Sequence, residues 1–232
     1  MTVASNVTVL DLETEDLRGV NQRLQDATPE EGPFRILHPR GAHALACGLR
    51  SELDVEIEGH TGYYCAGMNT AARITVKGNV GVGVGENMTS GVVWVKGDAS
   101  QSAGATALGG LLVIEGNTAA RCGISLKGGD IVVKGNVGHM SMFMAQAGNL
   151  VVLGDAGDSL GDSIYEARIY VRGKVASLGA DCIEKELREE HRRELGALLE
   201  RAGCDGIDVG EFRRYGSARQ LYNFKVENLD AY

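Results

Sequence analysis

Proline is scarce, at 3 of 232 residues, and all three (Pro29, Pro33, Pro39) lie in the first forty positions. Aromatic residues make up only 5% of the chain. No apolar run approaches the roughly 18 residues that a membrane-spanning helix needs. A basic excess is also missing: the net charge is −8 and the isoelectric point about 5.2. Nucleic-acid grooves normally carry the opposite sign, so that class of partner is not expected. The N-terminus, MTVASNVTVLDLETEDL, has no basic segment leading into an apolar one, which argues against a secretion signal and for a cytoplasmic protein. Five cysteines (Cys47, Cys65, Cys122, Cys182, Cys204) form no CxxC pair, and free thiols are the simplest reading.

Glycine, by contrast, is abundant at 33 residues, about twice the usual ~7% share. With so little proline and 44% hydrophobic content, neither collagen nor a flexible linker fits. The glycines keep a period. A glycine closes a short aliphatic run at 59, 78, 97, 116, 135, 154 and 173, always at an interval of 19. Two residues earlier stand β-branched side chains from Ile57 to Val171, and four earlier stand aliphatic ones from Val55 to Ile169. That spacing of two places both on one face of a strand. Asn79, Asp98, Asn117, Asn136 and Asp155 follow the anchor glycine, and residues of this type tolerate left-handed turns. Three residues after the anchor the side chain is always small, and pairs such as Gly109-Gly110 end the unit.

Nineteen residues are too few for a strand plus a crossover helix, and no helical period appears inside the unit. The predicted fold is an all-β solenoid, a parallel β-helix of about seven 19-residue coils, each made of three short extended segments separated by corners. Stacked at strand spacing, the coils span roughly 34 Å. Residues 1–53 read as an N-terminal cap with a strand over 6–12 and a helix over 15–27. Residues 54–186 are the solenoid, and 187–232 a C-terminal helix and tail. Asp181 with Glu184 resembles a capping box, and Ile183, Leu187, Leu195, Leu198 and Leu199 follow as an apolar stripe. That helix is expected to cover the open edge of the last coil. The tail, EFRRYGSARQLYNFKVENLDAY, has no clear period and is expected to pack on the solenoid or on a partner.

Catalytic signatures are sparse. Gly81-Val82-Gly83-Val84-Gly85 looks like a phosphate loop, but a β-coil follows it instead of a helix, so corner glycines are the better reading. Cys65 and Cys122 share a column three coils apart, roughly 14 Å, too far for a disulfide or a shared metal. The histidines show no metal spacing, and Asp155, Asp158 and Asp162 read as turn formers. No catalytic, cofactor-binding or metal-ligating residues emerge. The most unusual coil carries His139-Met140-Ser141-Met142-Phe143-Met144 where others carry small residues. Strand alternation would put Met140, Met142 and Met144 on one face. They read either as core filler or, with Phe143, as an apolar contact patch for another subunit. Tyr63 and Tyr64 carry the same ambiguity. On the patch reading, Met142→Asp would weaken assembly and leave the fold intact.

The G-[ND]-x-G corners followed by a later glycine resemble the GXGXG domain over residues 54–186. That domain is the C-terminal β-helix of the glutamate synthase large subunit, and it recurs in formylmethanofuran dehydrogenase as one of that enzyme's subunits. The overall length and the tail RRYGSARQLYNF are most similar to the small β-helix subunit of N-methylglutamate synthase. The resemblance implies a right-handed solenoid, in line with the handedness of parallel crossovers. It also implies a structural subunit with no cofactor of its own. Its partners would be a class II glutamine amidotransferase-like subunit and a glutamate synthase-like subunit carrying FMN and an iron–sulfur cluster. The complex would make N-methylglutamate from methylamine and glutamate with release of ammonia. The alternative is a β-helix subunit of a formylmethanofuran dehydrogenase or formyltransferase complex.

Overall fold

A computed structural model describes residues 7–220. Eleven strands and two α-helices are present among them. Strand β1 (Thr8–Asp11) leads into helix α1 (Leu17–Asp26), and β2 (Phe34–Leu37) then pairs in parallel with β1. The solenoid strands follow: β3 (Asp54–Ile57), β4 (Arg73–Val76), β5 (Val92–Val95), β6 (Leu111–Ile114), β7 (Lys127–Val133), β8 (Ala147–Val152) and β9 (Arg168–Val171). Each pairs in parallel with the next, residue 55 opposite 74, 74 opposite 93, and so on. The parallel β-solenoid of about seven turns is therefore as predicted. Val55, Ile57, Ile74, Val76 and their equivalents in later coils are buried inside it.

The other sides of each coil differ from the expectation of three extended segments. The second side is reduced to single parallel bridges, Val80 to Ala99 to Thr118 and Val137 to Ala156 to Val175. The third is not extended at all. Every second residue there has positive φ, as in Tyr64, Ala66 and Met68, then Gly83, Gly85 and Asn87, then Ser102, Gly104 and Thr106. This alternation turns successive amides in opposite directions along the stack. Met140 and Met144 donate N–H to Asp158 and Asp162 in the coil ahead (2.8 and 2.9 Å), while Met142 donates to Cys122 in the coil behind (2.7 Å). Each coil is thereby bonded to both neighbours without a strand, which keeps the buried backbone satisfied.

The post-anchor Asn and Asp residues are not left-handed, contrary to the sequence expectation; none is among the residues with positive φ. They form a ladder instead. Asn79 Oδ1 accepts the N–H of Asp98 (2.9 Å), Asp98 that of Asn117 (2.7 Å), Asn117 that of Asn136 (2.9 Å), Asn136 that of Asp155 (2.7 Å) and Asp155 that of Lys174 (2.7 Å). His60 is the first rung, its Nδ1 accepting the N–H of Asn79 at 2.9 Å.

The two ends close differently. At the N-terminal end β2 is already in register with β3, and Phe34, Ile36, Leu45 and Leu49 extend the solenoid interior, against which Val20 and Leu24 of α1 pack. At the C-terminal end the chain forms strand β10 (Cys182–Lys185), helix α2 (Glu189–Arg201) and strand β11 (Arg213–Ser217). The Asp181–Glu184 stretch is thus strand and turn, not a helix cap, and Ile183 is 44% exposed. The edge of β9 is covered by β11, antiparallel to it, and β10 pairs with β11 on the outside. Helix α2 lies on the outer face of the sheet: Leu195, Leu198, Leu199 and Ala202 pack with Leu111, Val113, Val132, Val151 and Tyr170. It covers a face and not the end, because from β6 onward the outward positions are apolar and need a second layer. Of the tail, Arg213–Ser217 forms β11; residues 221–232, including the rest of the RRYGSARQLYNF segment, lie outside the described residues.

Candidate functional site

The left-handed side is where the unusual side chains collect. Positions one, three and five of the alternation present different surroundings. The middle column runs Ala66, Gly85, Gly104, Gly123, Met142 and Gly161 and points into the core. Met142 is fully buried, filling the space above Gly123, where a Cβ would come within 2.5 Å of the Met142 sulfur. The three methionines therefore do not share a face: Met142 is core, Met140 and Phe143 are half-buried, and Met144 is 38% exposed. Strand alternation does not apply to a backbone whose φ changes sign at each residue. As a surface residue Met142 is ruled out, while Met140, Phe143 and Met144 remain at or near solvent.

Tyr63 and Tyr64 stand four coils before His139 and Met140 in the same columns, roughly 19 Å along the stack. Tyr63 is 59% exposed and stacks on His43 with ring centres 4.0 Å apart; its N–H donates to His43 Nδ1 at 3.0 Å. The half-buried Tyr64 accepts a hydrogen bond at its hydroxyl from Asn87 Nδ2 (3.2 Å), and Asn87 Oδ1 accepts from Thr106 Oγ1 (2.6 Å). Met68, 47% exposed, occupies the same column as Met144. One side of the solenoid thus carries exposed apolar side chains in its first coil (Tyr63, Met68), its second (Val82) and its fifth (Met144).

The cysteines are free and mostly inside. Burial pushes the Cys65 thiol up to about 11 and the Cys122 thiol up to about 12, each offset in small part by a threonine hydroxyl in its own coil (Thr61 and Thr118). Cys182 is raised to about 12 by burial and then by Asp181. Burial raises Cys47 and Cys204 as well. A nucleophilic cysteine requires the opposite shift, toward thiolate. The Gly81–Gly85 stretch supplies two positive-φ corners, Gly83 and Gly85, within the same left-handed side. Asp155 is a ladder rung, while Asp158 and Asp162, which lie in turns, accept from the next coil: Asp158 from Ser177 Oγ at 3.1 Å and Asp162 from the N–H of Ala180 at 3.1 Å.

One cluster was not visible in sequence. Asp11, Glu13 and His38 bring their oxygen and nitrogen atoms within 4.8 Å of one another. His38 Nδ1 is 2.8 Å from Asp11 Oδ1, and the Arg40 guanidinium is paired with Glu13. The Glu13 backbone N–H and then His38 hold the Asp11 carboxyl below its ordinary value. With Arg40 already supplying the cation, these groups pin the segment after β1 to the one after β2.

No family profile matches the chain. It is 58% identical over 226 residues to Protein GlxC of Rhizobium meliloti (strain 1021), an alignment that covers 97% of this chain and 99% of that protein. The chain belongs to the GlxC family. At that identity and coverage the whole solenoid and the α2 layer lie inside the shared region. No helix among the described residues is long and apolar enough to cross a membrane.

Proposed function

We propose that this GlxC-family chain is a structural subunit of a glutamate synthase-like amine-transfer complex, of the N-methylglutamate synthase type. It would hold a class II glutamine amidotransferase-like subunit and an FMN- and iron–sulfur-bearing synthase subunit at a fixed separation. Methylamine and glutamate would be converted to N-methylglutamate with release of ammonia, on those partners. The observation that carries this reading is the side of the solenoid bearing Tyr63 and Met68 in its first coil and Met144 in its fifth, all exposed on coils hydrogen-bonded to one another. Exposed apolar side chains held at a set distance suit a surface that docks two partners. The raised thiol values of Cys65, Cys122 and Cys182 support assigning the nucleophilic cysteine of amide transfer to another chain. Fixed geometry is itself a catalytic contribution where a reactive amine must pass between two sites.

The test is affinity purification of the tagged full chain from its source cell. Recovery with an amidotransferase-like protein and a flavoprotein is expected, and Tyr63→Asp with Met144→Asp should lower that recovery at least tenfold without moving the melting temperature. Recovery as an isolated monomer with no flavoprotein would overturn the reading, and co-purification with a formyltransferase would replace it with the alternative complex.

A further inference from the structure

The C-terminal end of the sheet carries a charge arrangement that its own packing leaves unexplained. Lys185 of β10 and Arg214 of β11 are direct partners on the antiparallel pair. Like charges directly opposite one another weaken such a pair. Both side chains are only half exposed. Burial disfavours both charges, and neighbouring cations add to this: Arg214 and Arg219 act on Lys185, while Arg168 and Arg188 act on Arg214. Arg214 donates Nε–H to the Glu186 backbone carbonyl at 2.8 Å, which leaves its charge without a carboxylate. The Lys185 ammonium makes no hydrogen bond or ion pair with the described residues.

The two side chains open onto a cleft of about 170 Å³, which His191 and Arg219 also line, and an adjoining hollow adds Arg188. Three carboxylates border it. Glu166 is paired with Arg219 at 2.9 Å and Glu186 with Arg188 at 3.1 Å, while Glu190 opposes part of the Arg214 field. Glu166 and Asp181 also attract the Lys185 ammonium, yet neither Lys185 nor Arg214 forms an ion pair among the described residues, in a protein of net charge −8.

We propose that this cleft binds a small carboxylate anion held between Lys185 and Arg214. The planar guanidinium fork matches a carboxylate through two parallel hydrogen bonds, and the ammonium supplies a third donor from the neighbouring strand. The 170 Å³ cleft has room for a molecule of a few carbons, and the adjoining hollow of about 570 Å³ lets it extend toward Arg188. The anion would cancel the cross-strand repulsion, so its binding stabilises the β10–β11 closure of the sheet. This site is independent of the assembly reading, since it needs only the chain itself.

Thermal melting and calorimetric titration of the full chain would use succinate, glutarate and inorganic phosphate at constant ionic strength, with chloride as the control. A saturable rise in melting temperature with the carboxylates is expected, with dissociation in the range of about 0.1–1 mM. Lys185→Gln removes the repulsion, so it should fold at least as well as the native chain, yet bind succinate at least tenfold more weakly. Arg214→Gln should do the same. No saturable shift with either carboxylate, an unchanged titration in Lys185→Gln, or binding of phosphate alone would each overturn the proposal.

Discussion

Asn117 and Gly135 require each other. The Asn117 Oδ1 accepts the N–H of Asn136 at 2.9 Å, and a Cβ on Gly135 would lie 2.6 Å from that same oxygen and 2.6 Å from the Gly116 carbonyl. The relationship recurs at every Asn or Asp rung, from Asn79 with Gly97 to Asp155 with Gly173, which is why glycine and an Asn or Asp stand side by side in the repeat. From Gly78 to Gly173 the anchor glycine is there for close approach and not for positive φ; only Gly59 among the anchors has positive φ, at 132°.

Replacing Gly135 by Ala should therefore lower stability by about 1–3 kcal/mol, since the neighbouring backbone must shift. Asn117→Ala should remove about 1 kcal/mol with the lost hydrogen bond. The double variant should lose less than the sum, because part of the clash disappears with the side chain. Urea unfolding midpoints at unchanged slope would measure all three.

Met142 and Met144 should respond in opposite ways to a carboxylate. Met142 is fully buried, so Met142→Asp places an unpaired charge in the core and should cost more than about 3 kcal/mol or abolish folding. Met144→Asp, at an exposed position, should stay within about 0.5 kcal/mol of the native stability. Circular dichroism melts of the two variants would show the contrast, which reverses the expectation for Met142 drawn from strand alternation.

His191 should make the protein acid-sensitive. It is 7% exposed, and its Nδ1 accepts the Arg188 N–H at the start of α2 (3.2 Å). Burial, and then Arg214, hold its pKa below the ordinary 6.5, against the opposing pull of Glu190 and Glu194. Above about pH 6.5 the imidazole is neutral in both folded and unfolded chains, and the contribution to stability is fully present. As the pH falls below that value the unfolded chain takes up a proton that the folded chain resists, so stability is lost down through the folded pKa. The urea midpoint should thus decline as the pH falls below about 6.5, and His191→Gln should flatten that part of the profile.

The parallel stack was legible from end to end of the 19-residue period, because each coil must place its aliphatic pair inward at the same register. The layer formed by α2 was also written there, three residues before each anchor. That column runs Glu56, Thr75 and Trp94 and then changes to Val113, Val132, Val151 and Tyr170. The change marks a strand apolar on both faces, but only its covering by Leu195, Leu198 and Leu199 gives it meaning. The coil begun by β2 falls outside the period, since Phe34 precedes its partner Val55 by 21 residues and not 19.

What the amino-acid sequence determined by itself is the solenoid, its seven-coil length and the inward columns, all consequences of a local period repeated in register. The tertiary structure alone decided three things. Met142 points inward because a left-handed residue breaks the two-residue alternation. The Asn and Asp corners bond along the stack because the next coil's glycine leaves room for an oxygen. Lys185 and Arg214 face each other because β11 returns antiparallel to close the sheet, a juxtaposition of residues 29 apart that no spacing rule encodes.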